Sequence, residues 1–104
     1  MPPWEGLFLV DTGAIDSLAP RDQLKVIGLR PKAKRIYELA DGREVNMDIT
    51  TGDIEFMGEL VGSTIILGDA ESEPILGLTT LESVGIVVDP RNQTLKRMPA
   101  TRLR

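Results

Sequence analysis

The sequence predicts a mostly β fold, a small closed β-barrel with one or two short helices. Three observations support this prediction: several short runs alternate apolar and polar residues, glycines separate these runs, and an Asp-Gly pair joins two of them as a hairpin turn would. A chain of many short strands must protect their edges, and closing the sheet into a barrel does so. At 104 residues the chain is long enough for one domain with a modest core.

Composition excludes several kinds of catalytic chemistry. The chain contains no cysteine and no histidine, so disulfides, thiolate zinc sites and catalysis by a cysteine or a serine–histidine pair are ruled out. The acid–base groups of an enzyme would have to be carboxylates, lysines or tyrosine. No apolar run reaches the roughly 20 residues that span a bilayer, and the start "MPPWEG" lacks the basic and apolar regions of a signal peptide. We therefore expect a cytoplasmic protein that needs no metal, cofactor or membrane.

The charged residues are unevenly distributed around a net charge of −4. Basic residues are concentrated between Arg21 and Arg35 and in the last fourteen residues, whereas acids dominate residues 36–90. Nucleic acid binding is not expected, because aromatic residues are not interleaved with the basic ones and the middle of the chain is acidic. We interpret residues 1–98 as the domain and residues 99–104 as a basic, frayed tail.

The first predicted strand covers the apolar run Leu7–Val10, which ends abruptly in Asp11-Thr12-Gly13-Ala14. A run of this kind is typical of a strand that is buried on both faces. The stretch "APRDQLKVIGL" that comes later predicts a short helix, which begins at Pro20 and ends before Gly28.

The middle of the chain predicts a hairpin and further strands. Two alternating runs, 36–39 and 45–49, flank Asp41-Gly42, and this pair favours a tight turn between them. The stretch "DIEFMGELVGSTIIL" then predicts several short strands, because glycines interrupt it repeatedly.

The last third predicts one strand, one helix and a second hairpin. The strand includes Ile75-Leu76, and the helix is capped by Thr79 or Thr80 and ends at Gly85. The runs "IVVD" and "QTLKRM" predict the closing hairpin, since the turn-forming "PRN" separates them.

Three segments together resemble the retroviral-type aspartic proteases, the single-lobe retropepsin-like family, and their cellular and microbial relatives. The segments are "LVDTGA", "ELADGREV" and "PILGLTTLES", and they follow one another in the family's order and at similar spacing. The resemblance covers about residues 7–95, and "GIVVDPRNQTL" is similar to the closing hairpin of microbial members. Retroviral enzymes pair an acid with an arginine where this chain has Ile15 and Leu78, so the microbial branch fits better.

The resemblance implies a small acid-protease barrel and an aspartic endopeptidase that cleaves a peptide or protein substrate. Asp11 would be the catalytic residue. In the family two carboxylates share one proton; one activates a water and the other polarises the scissile carbonyl. The chain contains no second Asp-Thr-Gly or Asp-Ser-Gly, so the partner Asp11 would come from a second copy. A homodimer with its active site on the two-fold axis is therefore expected.

The resemblance also assigns roles to residues around the catalytic one. Thr12 would tie the two active-site loops together, Gly13 would let the backbone approach the substrate, and Ala14 completes the loop. A hairpin tip would close over the peptide as a flap, formed by Leu39, Ala40, Asp41, Gly42 and Arg43. Apolar substrate pockets would be lined by Leu18, Ile75, Leu76 and Gly77.

Other interpretations of the same residues remain open. The chain can be a non-catalytic peptide-binding or dimerisation module that keeps the protease fold, or an unrelated small β-barrel in which Asp11-Thr12-Gly13 is only a turn.

Single residues also have alternative interpretations. Asp41-Gly42 fits an ordinary hairpin turn, and the pocket residues fit a plain core equally well. Asp16 either accepts a hydrogen bond from a substrate or caps the turn before Pro20, and a single aromatic such as Tyr37 usually serves packing.

Overall fold

A computed structural model describes residues 3–92 and 94–98 of the chain. Strands account for 49% and helices for 13% of these residues, which confirms the mostly β prediction with two short helices. The predicted basic tail, residues 99–104, lies outside the described residues. Neither of the two helices in this part of the chain has the length and apolar character that crossing a membrane requires.

Eight strands and two helices alternate along the described residues. In chain order they are β1 Leu9–Asp11, β2 Ser17–Pro20, α1 Arg21–Val26, β3 Ala33–Glu38, β4 Glu44–Phe56, β5 Glu59–Gly68, β6 Ile75–Gly77, α2 Leu78–Ser83, β7 Ile86–Asp89 and β8 Thr94–Arg97.

Six of the strands form one mixed sheet in the order β1-β6-β2-β5-β4-β3, and β7 and β8 form a separate two-stranded sheet. β6 lies between β1 and β2, parallel to the first and antiparallel to the second. The chain therefore leaves β1, passes the end of β6 as a loop, and returns on its other side as β2. This loop carries the Asp-Thr-Gly sequence.

The closed barrel that the sequence predicts is not found in the described residues, in which β1 and β3 are opposite edges of an open sheet. β4 and β5 pair over Ile49↔Ile66 to Phe56↔Glu59 as one long hairpin. The sequence analysis expected several short strands here, because Gly58, Gly62 and Gly68 were taken as breaks. Gly62 lies inside β5 and Gly68 is its last residue, and the chain reverses only at Met57-Gly58, where both residues have positive φ.

The two helices differ slightly from their predicted starts. Pro20 is the residue before α1, in extended conformation, and the helix itself begins at Arg21. Helix α2 begins at Leu78 directly after β6, so neither Thr79 nor Thr80 caps it. The side chain of Thr80 is instead buried within the helix and is used in a hydrogen-bond network described below.

The core consists of two apolar clusters, and Ile54 of β4 packs against both. The second cluster contains Leu76, Leu81 and Ile86, and Phe8 and Val10 pack against it. The prediction that the run Leu7–Val10 is buried on both faces is wrong for a single chain. Leu7 is 95% exposed and Leu9 is 48% exposed, because β1 is an edge strand and only one of its faces rests on the core.

Candidate active site

Asp11 is the last residue of β1 and lies opposite Gly77 in the neighbouring parallel strand β6. Its carboxylate oxygen Oδ1 accepts a 2.9 Å hydrogen bond from the N–H of Gly13. The carbonyl of Asp11 accepts a second bond, 3.1 Å long, from the N–H of Ala14. The predicted active-site residues thus form a tight turn that orients the carboxylate, with Thr12 and Gly13 exposed.

The rest of this loop is held by the start of α2. The N–H groups of Leu78 and Thr79 donate hydrogen bonds of 2.8 and 3.1 Å to the carbonyls of Ala14 and Ile15. The first N–H groups of a helix have no partner inside the helix, and here the loop supplies those partners. The Ile75-Leu76-Gly77 segment and the helix after it therefore fix the loop that carries Asp11.

Ser17, at the other end of the loop, is fully buried in a small hydroxyl network. Its Oγ accepts a 3.0 Å hydrogen bond from the N–H of Gly77 and lies 2.8 Å from Oγ1 of Thr80. Oγ of Ser63 lies 3.1 Å from the same Thr80 oxygen. The sequence analysis missed this network, since isolated serines and threonines carry no signal that they will meet across the fold.

The predicted flap residues form the turn of the β3–β4 hairpin. Leu39 donates a 2.7 Å hydrogen bond to the carbonyl of Arg43, and Gly42 donates one of 2.9 Å to the carbonyl of Leu39. Gly42 has a φ of 87°, a left-handed conformation that suits glycine. The Asp41 carboxylate accepts hydrogen bonds from the backbone N–H and from the side chain of Arg43. Both bonds lower the pKa of Asp41, and the backbone bond has the larger effect. Ala40 is exposed with the rest of the turn.

This hairpin extends beyond the body of the sheet. β4 pairs with β5 only from Ile49 onward, whereas the pairs with β3 continue to Glu38↔Glu44. The outer part of the hairpin, residues 34–48, is therefore a two-stranded ribbon, which we call the projecting hairpin. In the part of the chain that the structure describes, no hydrogen bond joins its turn to Asp11.

Asp16 connects the Asp11 loop to the projecting hairpin. Its carboxylate oxygen Oδ2 accepts a 2.6 Å hydrogen bond from the hydroxyl of Tyr37 and a 3.0 Å bond from Nη1 of Arg35. Within this chain the carboxylate thus binds β3, where the sequence analysis expected a substrate contact or a cap. We call these three residues the Asp16 cluster. Arg35 and Tyr37 share one face of β3, because side chains two residues apart on a strand point to the same side.

The electrostatics of the Asp16 cluster follow from these contacts. Burial raises the pKa of Tyr37 to about 12, and its hydrogen bond to Asp16 acts in the same direction. The hydrogen bond to Asp16 raises the pKa of Arg35 as well. Asp16 is only 8% exposed, and these two partners supply the hydrogen bonds that a buried carboxylate needs.

The residues expected to line substrate pockets lie on the strands beside Asp11. Ile75 is opposite Leu9 of β1 and also opposite Leu18 of β2, and both Ile75 and Leu18 are half-buried. Leu76 is buried in the second core cluster. Gly77 is buried against the Asp11 loop. The structure therefore brings Ile75, Leu76 and Gly77 beside β1, which ends in Asp11, with the side chain of Leu76 directed into the core.

Two hollows lie near the strands beside Asp11. The larger, about 800 Å³, is lined by the core-facing side of the N-terminal segment, including Trp4, Phe8 and Val10. The smaller, about 310 Å³, lies between Thr12, α2 and β7. Asp11 lines neither of these two hollows. In a single copy of the described chain, Asp11 is half-buried and lies outside both of these hollows.

Residues 3–92 and 94–98 contain no group of three or more carboxylates arranged to hold a metal ion. No protein-family model matches the chain, and no curated protein matches it significantly. Its function must therefore be argued from the geometry of the Asp11 loop and its surroundings.

Proposed function

We propose that the chain is one subunit of a homodimeric aspartic endopeptidase, with Asp11 of each subunit as the catalytic residue. The observation that carries the proposal is the position of Asp11 at the end of β1, next to Gly77 of β6, with its carboxylate oriented by Gly13. Two segments of the resemblance, "LVDTGA" and "PILGLTTLES", meet there although more than sixty residues separate Asp11 from Gly77.

The proposed reaction is hydrolysis of a peptide bond by a pair of carboxylates. Two carboxylates at close range cannot both be ionised, so they hold one proton between them. The ionised one removes a proton from a water that attacks the scissile carbonyl. The protonated one donates a hydrogen bond to that carbonyl and later transfers a proton to the leaving amine. The only Asp-Thr-Gly of the chain is at Asp11, so a second copy must supply the other carboxylate.

The surface around Asp11 supports a dimer. Leu7, in the segment before β1, and Leu9, in β1, are both exposed, and Ile15, in the same loop as Asp11, is 61% exposed. Apolar side chains of this size on a surface are typical of a contact with another molecule when they occur together. Contact of this face with its symmetry mate would remove water from around the two carboxylates.

The projecting hairpin supports the second part of the proposal, a flap that closes over the substrate. It is a two-stranded ribbon at the edge of the sheet with an exposed turn at residues 39–43. Ribbons of two strands move more readily than strands inside a sheet. Closure over a bound peptide would exclude water from the reaction.

Cleavage of a diverse peptide mixture, followed by mass spectrometry, tests the proposal. The wild type is assayed between about pH 4 and pH 7, the range in which a carboxylate pair is expected to work, at a concentration shown to be dimeric by sedimentation. Asp11→Asn is assayed in parallel. Asp89→Asn is the matched control, because Asp89 also ends a strand and accepts a 3.0 Å bond from the N–H of Arg91, two residues further on.

We expect new cleavage products with the wild type and Asp89→Asn and none with Asp11→Asn. Cleavage that persists in Asp11→Asn would exclude Asp11 as the catalytic residue. A dimer that cleaves nothing would instead favour the alternative function, a peptide-binding or dimerisation module that keeps this fold without catalysis.

A further inference from the structure

β3 is held to the rest of the molecule in only two ways within the described residues. As an edge strand it pairs with β4 alone. The side-chain hydrogen bonds of the Asp16 cluster are the second connection, and they join β3 to the Asp11 loop. Beyond Ile49 the projecting hairpin has no strand partner outside itself. An ion pair of 3.6 Å joins Asp48, at its base, to Arg21 of α1, and the bonds of the Asp16 cluster are those that orient the hairpin relative to the Asp11 loop.

The Asp16 cluster lies between the two parts of the proposed site, the projecting hairpin and the Asp11 loop. Tyr37 is two residues before the turn at Leu39, and Asp16 is in the same loop as Asp11. Arg35 and Tyr37 are on the same face of β3, so one carboxylate can bind both. Both side-chain partners of the buried Asp16 carboxylate among the described residues belong to the hairpin, and neither belongs to the core.

We propose that Asp16 is a positioning residue, which fixes the base of the projecting hairpin on the Asp11 loop and so sets the place of the flap turn. The inference rests on the proposed function, because a flap has a role only if a substrate lies under it. Holding the hairpin in place before binding reduces the conformational entropy that the substrate must otherwise remove. Loss of the cluster therefore weakens substrate binding more than it slows the chemical step.

Two measurements test the role of Asp16, and the first does not depend on activity. Hydrogen exchange of residues 33–43 is compared among the wild type, Tyr37→Phe and Asp16→Asn. Tyr37→Phe removes one hydroxyl and keeps the ring, so it preserves the packing if Asp16→Asn proves unstable. Glu59→Gln is the matched control, because it breaks a carboxylate–arginine pair with Arg97 that involves neither the loop nor β3.

We expect exchange of this segment to accelerate about 3- to 10-fold in Tyr37→Phe and Asp16→Asn, as the loss of a hydrogen bond to a charged group implies. Exchange in Glu59→Gln should match the wild type. Unchanged exchange in both cluster variants would overturn the inference.

The second measurement is the split between KM and kcat on a peptide that the wild type cleaves. We expect kcat/KM to fall about tenfold in Tyr37→Phe, almost entirely through a higher KM. An equal fall of kcat and kcat/KM would overturn the positioning role and indicate a direct part in the reaction. A wild type that cleaves nothing would contradict the proposed function, while the exchange experiment still decides whether Asp16 holds the hairpin.

Discussion

Gly77 and Asp16 are in direct backbone contact: a Cβ placed on Gly77 would lie 2.5 Å from the carbonyl carbon of Asp16 and 2.6 Å from its oxygen. Gly77 has an ordinary extended conformation, with a φ of −84°, so the requirement for glycine here is one of space. This close approach holds the Asp11 loop against β6.

Gly77→Ala should destabilise the fold by about 2–3 kcal/mol, because backbone atoms cannot move aside as a flexible side chain can. Gly62→Ala is the matched control: it is also a strand glycine, but the nearest atom to its added Cβ is 3.7 Å away. The control should change the free energy of unfolding by less than about 1 kcal/mol. Chemical denaturation of both variants measures the difference, and equal effects would contradict the steric argument.

Ser17→Ala should cost about 1–3 kcal/mol of stability. The variant leaves the buried N–H of Gly77 without its acceptor and removes a partner of Thr80. Ser83→Ala removes a hydroxyl whose 2.7 Å bond to the carbonyl of Thr79 is exposed to solvent, so it should have a much smaller effect. Denaturation curves of the two serine variants provide the comparison, and a mild effect of Ser17→Ala would show that the network is not needed.

Leu9→Lys should weaken the proposed dimer at least tenfold, because it places two like charges on the faces that meet near Asp11. Val26→Lys introduces the same charge at another exposed apolar residue, in α1, and should leave association unchanged. Sedimentation at several concentrations distinguishes them. If both variants associate like the wild type, the dimer does not use the face that carries Leu9.

Tyr37 should titrate with a pKa of about 12, above the ordinary value of 10, because it is partly buried and donates to Asp16. It is the only tyrosine of the chain, so tyrosinate absorbance reports it alone, while the fluorescence of the single tryptophan checks that the protein stays folded. Asp16→Asn should lower this pKa toward the ordinary value. A wild-type titration near pH 10 would contradict the burial and hydrogen bonding of Tyr37.

The raised pKa of Tyr37 makes the stability of the fold depend on pH in the alkaline range. A group whose pKa is raised by folding contributes stability that is complete below its unfolded pKa and is lost as the pH rises through its folded pKa. The contribution of Tyr37 should therefore disappear between about pH 10 and about pH 12. Tyr37→Phe should remove this component of the pH dependence, which denaturation at a series of pH values would detect.

Local chemistry made several parts of the fold predictable. Asp41-Gly42 produced the expected hairpin turn, since glycine accepts the positive φ that the turn needs. The closing hairpin of β7 and β8 and the strand Ile75–Gly77 followed from short apolar runs bounded by turn residues. Each of these features depends on residues that are close in sequence.

Other parts were not predictable because they depend on residues that are distant in sequence. Gly62 was taken to interrupt a strand, yet it pairs with Asp53 inside the long hairpin of β4 and β5. The expected short strands are therefore one hairpin, and the sheet is open at both edges. Leu7 and Leu9 were expected to be buried, and they are exposed because none of the described residues covers the outer side of β1 and of the segment before it.

The sequence by itself limited the chemistry that is possible here: without cysteine or histidine, the acid–base groups of a hydrolytic site must be carboxylates, lysines or tyrosine. With one Asp-Thr-Gly in the chain, a pair of such aspartates would need a second copy. Only the tertiary structure decided which residues surround Asp11. It brought Gly77 beside Asp11, Thr80 beside Ser17, and Tyr37 beside Asp16. Such pairs arise from strand register and loop crossing, which are set by the packing of the whole chain and leave no local pattern in the sequence.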